Sequence, residues 1–482
     1  MGEEKTLGEQ AVKSSLGASV RDGVLFSLMT GLGDAYMPAL LLFYGATDAA
    51  IGLLTSIPYL FSAFAQLLIS KTMGAWRNRK NFVTRAVFFH AFFWLAQIAL
   101  VFSPFDVPLK ITLAIAVFAL YAGFDDFIYP IWSGWIADLV PEGMRGQYFG
   151  YRNKITGLAL FLATLGGGLV LGFFTGNLGN ALLGFAVLFF LAFLCRLGSA
   201  WFIMRMAAIP GSGKEFRTVS WNTLLFHDAW KNARLFIAGA ALISFTRYVA
   251  SPFYSVFMLR NMGLGYAEFG ILTSAAVLFK IISFPYWGKL ADRFGNRAVL
   301  VVSGILVSVL PLPWAFFARF DVLLCTQVLS GFAWSGFELV SFNYILSSAP
   351  REQRVSLVSR YNFFNNVAIV VGATFGAFLL SGVLPQVFLG LVALQLLFFI
   401  SSALRMLVAL FMLPRVKEQH AIYPYNDMGF MLDASVIYPA QSVARHVARG
   451  IRFAGRVRAP LRSARRAALD AFEKGRKKIR RR

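Results

Sequence analysis

Twelve apolar runs of roughly 20 residues or more follow one another in this chain, separated by short polar loops. They lie at about 22–44, 48–70, 82–104, 109–138, 147–175, 179–206, 233–259, 267–288, 297–318, 320–348, 355–381 and 385–413. A segment surrounded by hydrocarbon must bond every backbone group internally, so runs of this length predict membrane-spanning helices. Composition agrees: 58% of the 482 residues are hydrophobic and only 14% charged, with mean hydropathy +0.64. A soluble domain carries about 25% charged residues. The polar stretch before Val24 shows no small-residue cleavage site, so the first run is expected to stay as a span.

The runs also repeat. Ala50-Ile-Gly-Leu-Leu-Thr-Ser56 returns as Glu268-Phe-Gly-Ile-Leu-Thr-Ser274, and Arg77-Asn-Arg79 returns as Gly295-Asn-Arg297, both 218 residues later. Pro141-Glu-Gly-Met-Arg145 with Asn153 is echoed at an offset of 209 by Pro350-Arg-Glu-Gln-Arg354 with Asn362. Two parallel copies of a hydrophobic half are the pattern of a two-bundle transporter. The expected organisation is a six-helix bundle over 1–206, a linker over 207–232, a second bundle over 233–413 and a basic tail over 414–482.

Loop charge sets an expected orientation. Lys71, Arg77, Arg79, Lys80, Arg145, Arg152, Lys154, Lys214, Arg217, Lys289, Arg293, Arg297, Arg351 and Arg354 fall on one side. Chiefly Lys110, Arg260 and Arg319 fall on the other, so both termini are predicted to be cytoplasmic. Cys195 and Cys325 lie within apolar runs and read as free buried thiols rather than a disulfide or metal site. The tail holds 17 Lys and Arg against 5 Asp and Glu, about half of the chain's net +23. Val443, Val447, Ile451, Val457 and Leu461 recur in it at helical spacing, with Arg445, Arg449, Arg452 and Arg456 as a separate stripe. This reads as a helix lying on anionic inner-leaflet lipid over 443–482, or as a disordered basic tail. No nucleic-acid reader fold accompanies the charge.

Gly288-Lys-Leu-Ala-Asp292-Arg293-Phe-Gly295-Asn-Arg297 resembles the loop between the second and third helices of a major facilitator superfamily half. The resemblance covers roughly 20–413 and implies an all-α fold of twelve spans in two pseudo-symmetric six-helix bundles. In the first-half loop Gly74 stands where Asp292 stands in the second. A carboxylate such as Asp292 near the surface can approach a helix N-terminus of the opposite half and latch a gate, and the resemblance implies that this latch closes in the outward-facing state and breaks in the inward-facing one. Arg293 and Arg297 can pair with acids at helix ends, and Asp138, with Arg145, is the expected first-half gate partner.

Ionisable groups at mid-span cost a few kcal/mol each on insertion scales, so each is a candidate functional residue. Asp34 shares a face with Ser27 and Thr30 in the first run, and Asp125 and Asp126 lie in the fourth between Tyr121 and Tyr129. Arg247 lies on a stripe with Ser244, Ser251 and Tyr254. Lys280 is in the eighth run, and Glu338 in the tenth is one turn from Trp334. His90, Trp94 and Gln97 share a face of the third. The family resemblance implies that helices 1, 4, 7 and 10 line the central cavity, which would bring Asp34, Asp125 or Asp126, Arg247 and Glu338 to the substrate. Proton exchange by Asp34, Asp125 or Glu338, with Arg247 or Lys280 as counter-charge, is the expected coupling; sodium held by Asp125, Asp126 and tyrosine oxygens is the weaker reading. Arg196 and Arg405, at equivalent places in the two halves, read as cations snorkelling to the interface. Gly166-Gly-Gly168 reads as a close helix contact.

No phosphate-binding GxxxxGK[ST] loop, HExxH or nucleophile elbow occurs, which argues against an ATPase or other enzyme. The expectation is a monomeric, multi-pass carrier of a bacterial inner or plasma membrane. It would move a small organic solute by alternating access on a proton gradient, without a cofactor or metal. An exporter or flippase for lipids, amphiphiles or drugs, and a non-transporting scaffold acting through the tail, are the alternatives.

Overall fold

The computed structural model describes residues 9–72, 79–141, 144–208, 219–350 and 353–418. Twelve of its helices are long and apolar enough to cross a membrane. In the first half these are α1 (Gln10–Phe43), α2 (Asp48–Thr72), α3 (Arg79–Phe102), α4 (Val107–Leu139), α5 (Arg145–Gly176) and α6 (Ala181–Met204). In the second they are α7 (Asp228–Asn261), α8 (Tyr266–Phe294), α9 (Asn296–Phe316), α10 (Phe320–Ser347), α11 (Ser356–Val383) and α12 (Ala393–Arg415). A short helix, Trp221–Phe226, precedes α7. The protein is thus an integral, multi-pass, nearly all-helical membrane chain. Gly74, the side chain of Arg145 and the basic tail beyond Glu418 lie outside the described residues.

Two boundaries differ from the sequence expectation. Helix starts at Glu9, well before residue 22, because its polar residues bond to neighbouring helices. Ser15 Oγ accepts from Ala207 N at 2.9 Å, and Asp22 Oδ1 accepts from Ser199 Oγ at 2.6 Å. The last span starts at Ala393 rather than 385 because Leu389 (φ 48°) and Gly390 (φ 80°) reverse the chain into a two-stranded hairpin. Its strands β1 (Val387–Phe388) and β2 (Leu391–Val392) are antiparallel, with Val387 opposite Val392.

The duplication read in the sequence is visible in three dimensions. Gly270 and Gly52 are 218 apart, and Gly168 and Ala377 are 209 apart. A Cβ on Gly270 would stand 2.9 Å from the Gly168 Cα, and a Cβ on Gly52 would stand 2.7 Å from the Ala377 Cβ. The α5–α8 and α2–α11 crossings are therefore equivalent contacts, as two halves related by a pseudo-two-fold require. Small residues let these backbones approach, as membrane helices lacking a hydrophobic drive to associate need. The helical breaks repeat too: α1 tightens to a 3₁₀ turn at Asp34–Tyr36 and α7 at Ser251–Phe253. Pro252 has no N–H to continue the ladder.

Contacts between the halves gather at one end, where the loops at 44–47 and 262–265 lie; this is called the far end below, opposite the terminal end where α1 begins. Arg260 reaches from α7 to Asp48 Oδ1 at 2.8 Å and to the carbonyl of Ala46. Tyr36 packs edge-on against Phe269 with ring centroids 5.9 Å apart. One buried apolar cluster joins both halves there through Tyr36, Met37, Phe253, Phe257 and Phe269. Polar groups are left nearer mid-membrane, between the halves.

Candidate functional site

In the first half, the break in α1 sets Asp34 beside Tyr121 of α4, with its Oδ1 buried and without a hydrogen-bond partner. Asp125, also on α4, accepts from Arg196 Nη2 of α6 at 2.6 Å. Arg196 Nε donates to Nδ1 of His90 on α3 at 2.8 Å. That bond fixes the imidazole tautomer: Nδ1 accepts, so Nε2 carries the proton and donates to the Tyr121 carbonyl at 3.0 Å. The His90 ring stacks on Tyr121 with centroids 4.4 Å apart. Asp126 points elsewhere, accepting from the Ser62 hydroxyl of α2.

Arg196 is therefore not a snorkelling cation. It lies eight residues inside the end of α6, about 12 Å from it along the axis. It is buried, with its guanidinium 4.9 Å from the Phe26 ring. Arg405 is equally buried, donating to the carbonyls of Val307 and Arg247 at 3.2 Å each.

In the second half, Lys280 Nζ of α8 is 2.5 Å from Oε2 of Glu338 on α10, and Arg247 Nη1 of α7 is 4.0 Å from Oε1. The Arg247 guanidinium lies 3.9 Å from the Trp334 ring. Each of the three charged side chains is about one third exposed despite its mid-helix place, so the space between the halves reaches them. Tyr254 packs on Trp314 and Phe398 at 4.6 and 4.8 Å, beside Arg405 and within electrostatic reach of Arg247. Tyr129 is 60% exposed and stacks on Trp132, not on Asp125.

The clusters meet at two tyrosines that sequence reasoning passed over. The hydroxyls of Tyr59 (α2) and Tyr248 (α7) are 2.9 Å apart, a hydrogen bond between the halves. Both line a cavity of about 360 Å³ with Asp34, Asp126, Ser62 and Phe118. Tyr59 also lies within electrostatic reach of both Arg247 and Asp126. The repeat could have drawn attention to Arg196, since Arg405 is its mate, but single hydroxyls such as Tyr59 leave no comparable signal.

The surface-loop charges described at the terminal end have partners within their own halves. Asp138 pairs with Arg79 at 2.8 Å inside the first half. Asp292 is exposed at the end of α8, near Gly288, and Arg293 lies over Phe294 at 4.8 Å. The carboxylate on the α9 N-terminus is Glu418, from the same half: its Oε2 accepts from Arg297 N at 2.6 Å. The Arg297 side chain donates to the Pro414 carbonyl at 3.0 and 3.3 Å. Gly295 turns the chain there with φ 88°, and a Cβ on it would lie 2.5 Å from Glu418.

Twelve spans in two equivalent halves, with ionisable side chains within the spans, are the architecture of the two-bundle class of membrane proteins. Residues 236–469 match the family model described as Major Facilitator Superfamily. The quinolone resistance protein NorA of Staphylococcus aureus (strain Mu50 / ATCC 700699) is 28% identical over 147 residues, 30% of this chain. That match spans 37% of NorA's length. A mutant of the nucleoside transporter NupG superposes with TM-score 0.65 at 13% identity, covering 84% of this chain and 100% of that one. A bacterial homologue of the iron transporter ferroportin, in an inward-facing state, gives 0.60 at 15%, covering 84% and 98%. The second half of the chain is thus similar to the Major Facilitator Superfamily model, and the fold of these transporters extends over 84% of its length.

Proposed function

We propose that the protein is a secondary active transporter that moves a small organic solute by alternating access, driven by a proton gradient. The observation that carries this reading is the shared carboxylate: Glu338 lies between Lys280 and Arg247 in a space both halves border. Across the Tyr59–Tyr248 bond, Asp34 and Asp126 line a cavity and have no cation at ion-pair distance among the described residues. Asp125, held on Arg196, is committed to an internal pair, so Asp34, Asp126 and Glu338 are the better proton carriers. A carboxylate in a poorly hydrated cavity can carry a proton, and an adjacent cation opposes this until substrate or movement separates the pair. Sodium at Asp125 and Asp126 fits less well, because their carboxylates serve different partners, Arg196 and Ser62.

The basic loops support cytoplasmic termini, so the far-end closure corresponds to a conformation facing the cytoplasm. The tail at 443–482 would then lie against anionic inner-leaflet lipid. Similarity to a quinolone resistance protein supports drug export as the second reading.

Uptake into proteoliposomes under an imposed pH gradient is the test, followed for a panel of organic solutes. Asp34→Asn, Asp126→Asn or Glu338→Gln is expected to uncouple movement from the gradient while leaving exchange. Gradient-driven transport unchanged in all three variants would refute the proton assignment.

A further inference from the structure

We infer that the central site selects zwitterions, with the solute's cation toward Asp34 and Asp126 and its anion displacing Glu338 from Lys280 and Arg247. This rests on the transport reading above and adds the class of substrate and its orientation.

The charges of the two walls do not cancel within each wall. In the first half Asp125 is matched by Arg196 at 2.6 Å, and Asp22 has Ser199 at 2.6 Å and Arg152 at 3.9 Å. Asp34 and Asp126 remain without a cation at ion-pair distance among the described residues: Asp34 lies beside Tyr121 with one oxygen unpartnered and Arg196 within electrostatic reach, and Asp126 accepts from the Ser62 hydroxyl. In the second half the imbalance is reversed. Among the described residues Glu338 is the one carboxylate at ion-pair distance from Lys280 and Arg247, and behind them Arg405 Nη2 donates to the Arg247 carbonyl. An acidic wall and a basic wall thus flank the Tyr59–Tyr248 pair.

A monocation would satisfy the acidic wall and leave the surplus cation in place; a monoanion would do the reverse. A zwitterion answers both walls, and a site that pairs charges rejects solutes that leave one unpaired. The solute's anion need not find an empty cation. Glu338 already shows how a carboxylate is received there, with a close contact to Lys280 and a longer one to Arg247, beside the Trp334 face. The cavity of about 360 Å³ beside Asp34 and Asp126 has room for a solute of one or two rings, and Tyr248, which lines it, has the Arg247 guanidinium 5.5 Å from its ring.

The test uses the purified full-length protein and three series of probes: tryptophan, 4-(aminomethyl)benzoate and norfloxacin, each as zwitterion, carboxyl ester and N-acetyl derivative. Affinities are read at pH 7 from intrinsic tryptophan fluorescence. In at least one series the zwitterion is expected to bind about tenfold tighter than both derivatives. In that series Asp126→Asn should remove the advantage over the N-acetyl form, and Lys280→Met the advantage over the ester. Glu338→Gln should tighten the N-acetyl anion severalfold, because it frees both cations; a misfolded variant cannot gain affinity. If no series prefers its zwitterion, or none binds, the inference is overturned. Ester uptake driven by a pH gradient without zwitterion preference would keep the transport reading and discard this one. Zwitterion binding without movement would do the opposite.

Discussion

Gly168 on α5 and Gly270 on α8 face each other so closely that a methyl on either would lie within 3 Å of the other's Cα. Ala377 and Gly52 repeat the meeting on α11 and α2. The two seams along which the halves meet are thus built to one plan, and the proposed alternating access would require both to shear.

Gly270→Val and Gly52→Val should each overpack one seam, at about 1–3 kcal/mol. Both are expected to lower the unfolding temperature in detergent by similar amounts and to slow transport. A large change in one variant with none in the other would contradict the equivalence of the seams.

Arg260 and Asp48 join the halves at the far end through a partly exposed pair, so each is worth only about 0–1 kcal/mol. Arg260→Gln should raise the population open at the far end a fewfold, measured by spin-label distances between the 44–47 and 262–265 loops. Exchanging the two charges, Arg260→Asp with Asp48→Arg, should restore closure in part, since the Ala46 carbonyl also holds Arg260.

The spans and their pairing into halves were legible because hydrophobic length and repeat spacing are one-dimensional properties. The partners of the charges were not. Asp125 and Asp126 are adjacent, yet one meets α6 and the other α2, a difference set by the rotation of α4 about its axis. Arg196 looked like an interfacial cation because its depth depends on where α6 ends and on His90 arriving from α3. Glu418 reaches Arg297 across 121 residues, a contact that loop chemistry near Asp292 gave no reason to expect.

Glu418 caps α9 with a carboxylate at the positive end of the helix, a contact worth about 0.5–2 kcal/mol. Glu418→Ala should lower the unfolding temperature by a few degrees and leave solute affinity unchanged, because the cap is remote from Lys280 and Glu338. Glu418→Gln, which keeps an accepting oxygen, should lose less. A loss of affinity without a loss of stability would mean the cap acts on the cavity instead.

Arg196→Met should be the most damaging single change in the first half, because it strands a mostly buried Asp125 and removes the donor to His90. Breaking a buried pair from one side costs about 3–5 kcal/mol, whereas replacing both partners by apolar residues is often neutral. Arg196→Met with Asp125→Leu should therefore recover much of the unfolding temperature lost by Arg196→Met alone. If the pair only supports packing, the double variant should also recover pH-driven transport, with Asp34, Asp126 and Glu338 still in place. Recovery of stability with transport still absent would instead assign Asp125 a part in coupling and count against treating it as an internal counter-ion.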